Sequence, residues 1–112
     1  MEKAKTICSS AVVESYCTEW GKDFLRNFNL KQLEEVQIIP DGSGFITARF
    51  YVKTAFGCFI QLDVKHAFCV GYGGEGPRGL HDIMIEAGYP EHQASKVFTI
   101  SRYEHTIIVK EK

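Results

Sequence analysis

The chain lacks a large excess of charge of either sign, and this lack excludes several classes of protein. Its 13 Lys and Arg residues nearly balance its 14 Asp and Glu residues, which leaves a formal net charge of −1. A protein that holds nucleic acid by phosphate neutralisation alone needs a basic excess, so we expect no nucleic-acid partner. No apolar run approaches the roughly 18 residues that a membrane helix requires, so we expect no membrane partner. With 45% hydrophobic residues, the chain is too apolar to be disordered.

The sequence also lacks a secretion signal and paired cysteine motifs. Ser9 and Ser10 interrupt the short apolar stretch near the N-terminus, so we expect a cytoplasmic protein. No C-x-x-C pair is present, and we expect reduced, mostly buried thiols rather than disulfides or a metal site, and no cofactor. The four cysteines are Cys8, Cys17, Cys58 and Cys69.

No linker rich in Pro, Gly and Ser divides the chain, and we therefore predict a single domain over 1–112. Apolar residues recur every three or four positions in the first part, which predicts a helix over 11–28. The period then changes to two, which predicts strands over 36–39, 45–54 and 58–70. These strands should bury one face and leave the other wetter.

The second half begins with a glycine-rich loop and a helix. Pro77 suits the first turn of this helix and Gly88 suits the position after its end. A short helical piece over 91–96 and strands over 97–101 and 106–110 follow, although the pattern leaves open whether 91–101 begins as helix or strand. The predicted order is α-β-β-β-α-β-β, an α+β two-layer sandwich with a mainly antiparallel sheet.

The segment from Val70 to Gly79 is the most unusual stretch, with five glycines between positions 71 and 79. Glycines let the backbone approach an anion closely, and the N-terminus of the following helix favours negative charge. We therefore expect the backbone N–H groups of Gly74, Gly76 and Arg78 to hold a small anionic ligand such as a nucleotide. In full, the expected ligand-binding residues are Tyr72 for stacking, Gly73, Gly74, Gly76, Arg78 for pairing, and His81 as a hydrogen-bond donor.

The run Gly71-Tyr72-Gly73-Gly74-Glu75-Gly76-Pro77, with a strand before it and an apolar helix after it, resembles a motif in small uncharacterised proteins encoded by phages, prophages and plasmids. The likeness is confined to this loop and its flanks. It implies a mobile-element origin. Since these proteins have no assigned activity, the resemblance implies neither catalytic residues nor a substrate.

Other interpretations stay open beside a non-enzymatic binding protein. The glycine loop is also explained as a tight strand-to-helix turn, in which case the protein is an inhibitor or adaptor that contacts a protein partner. An enzyme would use His81 and Asp82 for acid–base work on a ligand in the loop. His66, on the apolar side of its strand, is expected to be a satisfied core or subunit-interface histidine.

The aromatic residues bear on the oligomeric state. Trp20, Phe24 and Phe28 form a stripe at helical spacing, which by default packs into the core. A domain of this size with so many aromatic residues and exposed strand edges has surplus apolar surface. We therefore expect a homodimer.

Overall fold

The computed structural model describes residues 5–112. The prediction that the chain has no secretion signal concerns the N-terminal segment, and the first four residues of that segment lie outside the described part. The elements are β1 (Ile7–Glu14), α1 (Thr18–Leu25), β2 (Leu33–Pro40), β3 (Ile46–Lys53), β4 (Phe59–Lys65), α2 (Glu75–Glu86), α3 (Glu91–Ala94) and β5 (Thr106–Val109), with 3-10 turns at Leu30–Gln32 and Ser95–Phe98. The predicted α+β class is confirmed.

The five strands form one mixed sheet in the order β1-β4-β3-β2-β5. Strand β1 runs parallel to β4, whereas the β4–β3, β3–β2 and β2–β5 pairs are antiparallel. The observed element order, which begins with a strand, therefore differs from the predicted order.

The predicted helix over 11–28 is wrong in its first part. Residues 7–14 form β1, in which Ala11 and Val13 pack against the core while Val12 and Glu14 point away. This alternation is the two-residue period of a strand. It covers only a few residues, so the helical spacing that continues into α1 dominated the prediction from sequence. Only Thr18–Leu25 is helical.

Two other predicted strands also differ from the structure. The strand over 58–70 ends at Lys65, because His66 adopts a φ of 75° and turns the chain out of the ladder. The strand over 97–101 is wrong, because Ser95–Phe98 forms a 3-10 turn whose Val97 is buried. Gly88 follows α2 with a φ of 91°, as predicted for a helix end.

The core lies between one face of the sheet and the helices. The inward side chains of β3 are all buried, and they alternate with outward ones as strand geometry requires. This inward set meets Leu25 of α1 and Leu80, Ile83 and Met84 of α2 in one hydrophobic cluster. On the outward face Arg49 donates two hydrogen bonds to Asp63, at 2.7 and 2.9 Å.

Helices α1 and α2 approach each other closely through glycine. A Cβ atom at Gly79 in α2 would overlap the Cγ2 atom of Thr18 in α1. On the other side of α1, a Cβ atom at Gly21 would lie 2.8 Å from the Cβ of Ala67, in the segment after β4. The Thr18 hydroxyl is itself fixed, since it donates a 2.7 Å hydrogen bond to the Ala67 carbonyl. Gly79, at the end of the glycine-rich segment, is therefore required for helix packing.

The expectation for the cysteines is wrong in part. Cys8 and Cys58 form a disulfide with a Cα–Cα distance of 5.8 Å, Cys17 is exposed, and only the Cys69 thiol is free and buried. The parallel pairing of β1 with β4 brings Cys8 beside the start of β4. A sequence separation of 50 residues carries no signal of that contact.

Candidate functional site

A cleft of about 480 Å³ opens beside the glycine loop. One wall comes from Tyr16 and Thr18 and from the β2–β3 turn at 43–45. Residues 66–69, which follow β4, form the back of the cleft. The remaining wall comes from the loop at 72–76 and from Arg102 and Tyr103. Five separate segments of the chain therefore meet at this cleft.

His66 is held rigidly in the wall of this cleft. Its ring stacks on Tyr16 at 4.9 Å between centroids and lies 5.1 Å from the Phe45 ring. Its Nε2 atom lies 3.2 Å from Asp41 Oδ2 in hydrogen-bond geometry. Its Nδ1 atom lies 3.0 Å from Glu14 Oε2, but outside hydrogen-bond geometry. A left-handed φ at a residue other than glycine costs free energy, and such strain clusters at functional sites.

Asp41 is itself fixed by the turn between β2 and β3. The hydroxyl and the backbone N–H of Ser43 both donate to Asp41 Oδ1, at 2.6 and 2.8 Å. These hydrogen bonds, together with the one to His66, lower the pKa of the Asp41 carboxyl. The carboxylate therefore stays ionised and anchors His66 against the turn.

Arg102 supplies the positive charge of the cleft. Its guanidinium carbon lies 5.1 Å from the centroid of the Tyr72 ring, a cation–π arrangement. Within residues 5–112, no carboxylate lies at ion-pair distance from Arg102, although Glu75 lines the same cleft. Within the described residues, the guanidinium therefore contacts an aromatic ring rather than a carboxylate. Sequence reasoning missed Arg102, since its contact with the loop spans 30 positions and leaves no local pattern.

The structure brings only some of the predicted ligand-binding residues to the cleft. Tyr72 and Gly76 line it. Gly74 precedes α2, and a Cβ atom there would overlap the Tyr72 ring, so this glycine lets Tyr72 fold over the helix start. A Cβ atom at Gly73 would meet no other atom within 4 Å, so packing does not require glycine at that position.

Arg78 and His81 do not line this cleft. The Arg78 N–H donates to the carbonyl of Gly74, the residue before α2, at 3.1 Å, so the predicted backbone cradle does not extend to Arg78. The Arg78 side chain lines a separate depression with Lys22 and Asp82. His81 Nε2 lies 3.0 Å from Glu91 Oε1, and its ring is 5.4 Å from Phe98. Of the six predicted residues, Tyr72 and Gly76 therefore line this cleft, and Arg78 lines a separate depression.

Among residues 5–112 there is no group of three or more His, Cys, Asp and Glu side chains that could hold a metal ion. No helix in the same part of the chain is long and apolar enough to span a membrane. The fold and the cleft define a small α+β protein with an aromatic, arginine-bearing pocket. No protein-family model matches the chain, and neither the curated proteins nor the solved structures give a match.

Proposed function

We propose that this protein is a non-enzymatic binding protein for a small anionic ligand that carries a flat ring, such as a nucleotide. The observation that carries the proposal is the pairing of Arg102 with Tyr72 in the cleft beside the glycine loop. The guanidinium binds the anionic group, and the exposed part of the Tyr72 ring stacks on the ligand ring. Stacking and charge-assisted hydrogen bonds are the interactions that such ligands use.

The size and polarity of the cleft support this ligand class. A volume of about 480 Å³ falls within the range of small-molecule pockets. Its walls combine aromatic rings with charged and hydroxyl groups, so the cleft is more polar than most small-molecule pockets, which suits a charged ligand. Glu75 at the start of α2 repels an anion placed on the helix axis, so we place the anionic group at Arg102 and the hydroxyl groups of the ligand at Glu75.

Two features of the chain bear on its origin and on its cellular location. The G-Y-G-G-x-G-P run supports a mobile-element origin. The Cys8–Cys58 disulfide is typical of an oxidising compartment, which counts against the cytoplasmic location expected from the sequence.

Thermal unfolding against nucleotides, cyclic nucleotides and inorganic phosphate tests the proposal. A ligand at about 100 times its dissociation constant adds roughly 2.7 kcal/mol to the free energy of unfolding. We expect Arg102→Ala and Tyr72→Ala to abolish the rise in Tm and Arg78→Ala, the matched control outside the cleft, to retain it. The proposal fails if no compound stabilises the wild type. Its placement fails if Arg78→Ala loses the response while Arg102→Ala keeps it.

A further inference from the structure

A second cleft, of about 410 Å³, lies at the other end of the β3–β4 ladder. Phe28, Val52 and Ile60 give it apolar walls, and the hairpin residues Thr54 and Ala55 form its rim. Asn29, Gln32 and Lys53 complete the lining. The first cleft meets the start of β3, whereas this one meets its end. At about 3.3 Å per residue, the length of β3 places the two clefts more than about 20 Å apart.

Phe56 lies at the tip of the β3–β4 hairpin, next to this rim, and 95% of its surface is exposed. It is the most exposed of the large hydrophobic residues in the described part of the chain. The hairpin is well defined, since the backbone N–H and the hydroxyl of Thr54 both donate to the Cys58 carbonyl across the tip, at 2.9 and 3.0 Å. Phe56 is therefore a protruding apolar side chain on an ordered support.

A stripe of aromatic side chains connects α1 to the same cleft. Trp20 stacks on Phe24 at 5.6 Å between centroids, and Phe24 meets Phe28 edge-to-face at 5.5 Å. Phe28 forms a wall of the cleft, while Trp20 remains 43% exposed. The aromatic stripe, which the sequence predicts to pack into the core, is thus only partly buried.

We propose that this surface is the interface of a symmetric homodimer, in which Phe56 of each copy fills the second cleft of the other. A twofold interface uses the same patch on both copies, so it needs a protruding group and a receptor that lie side by side on one chain. Phe56 and the adjacent cleft satisfy that requirement. With a net charge of −1 on each chain, two copies repel each other little.

A second copy fits this surface better than an unrelated protein does. An unrelated partner would have to supply both an aromatic side chain for the cleft and a separate receptor for Phe56, whereas the chain itself carries both. The interface lies away from Arg102 and Tyr72, so dimer formation and ligand binding are separable. The dimer proposal therefore does not rest on the proposed function.

Sedimentation velocity over a series of protein concentrations tests the proposal. We expect the wild type to form a dimer and Phe56→Ser to weaken it roughly 30-fold or more, as loss of a central aromatic anchor does. Phe56→Ser should leave the fold intact, because the side chain makes few contacts within one chain. Ile107→Ser on β5, which removes another exposed apolar side chain, is the matched control and should leave the dimer unchanged.

Asn29→Trp gives an independent test, because Asn29 is exposed and lines the second cleft. A tryptophan there fills the receptor from within its own chain while Phe56 is still present. We expect this variant to be monomeric as well. The proposal is overturned if the wild type is monomeric at every concentration, or if Phe56→Ser or Asn29→Trp dimerises as tightly as the wild type.

Discussion

Substitution of Gly79 by alanine should destabilise the protein, although alanine normally stabilises a helix. Gly79 lies in α2 against α1, and its substitution places a methyl group within the volume of Thr18 Cγ2. Thr18 cannot turn away without breaking its 2.7 Å hydrogen bond to the Ala67 carbonyl. The new methyl group would also lie 3.3 Å from the Phe68 ring. The two helices must therefore separate.

The magnitude follows from two opposing terms. Overpacking a tight core costs about 1–3 kcal/mol, and a direct overlap with a fixed neighbour belongs at the upper end of that range. Replacement of glycine by alanine inside a helix raises the free energy of unfolding by about 1 kcal/mol, because alanine has the higher helix propensity. We therefore expect Gly79→Ala to lower the free energy of unfolding by about 2 kcal/mol. For a domain of this size, that loss lowers Tm by roughly 8 °C.

Urea and thermal unfolding, followed by circular dichroism, measure this effect. Thr18→Ser keeps the hydroxyl group but removes Cγ2, so the double variant Thr18→Ser/Gly79→Ala should recover at least half of the loss. Gly73→Ala, in the loop just before α2, is the matched control. Its new methyl group meets no atom within 4 Å, and we expect it to be neutral or stabilising by about 0.4–1 kcal/mol. A Gly79→Ala protein as stable as the wild type would refute the reasoning, and so would a lack of rescue by Thr18→Ser.

Three further predictions concern the disulfide, the β2–β3 turn and the edge of the sheet. Cys8→Ser opens a loop with a sequence separation of 50 and should cost about 4 kcal/mol in urea unfolding, whereas Cys17→Ser should cost nothing measurable. Because the pKa of Asp41 is lowered on folding, its contribution is present above the ordinary value of 3.8 and is lost as the pH falls below it. Asp41→Asn should therefore show a smaller decline in Tm between neutral and acid pH, and an unchanged decline would contradict this. Gln93→Ala should cost about 1–3 kcal/mol in urea unfolding, since it removes the 2.7 Å hydrogen bond to the Val109 carbonyl at the sheet edge; an unchanged midpoint would contradict it.

Local patterns were sufficient for the central strands and the second helix. The alternation of apolar and polar residues predicted β3 closely and β4 up to Lys65, because successive side chains of a strand point to opposite faces of the sheet. Pro77 and Gly88 predicted the start and the end of α2, since both residues act through their own backbone preferences. In each case the information lies within the segment itself.

The tertiary structure decided the first strand and the composition of the cleft. Segment 7–14 becomes a strand because it pairs with β4, about 50 residues along the chain. Arg102 reaches Tyr72 because the chain after α2 returns to the glycine loop. The alternation in 7–14 is too short to predict β1, and the contact between Arg102 and Tyr72 leaves no trace in local composition or period. The sequence by itself therefore determined which segments bury apolar faces, whereas the side chains that meet in the cleft were determined by how distant segments pack against one another.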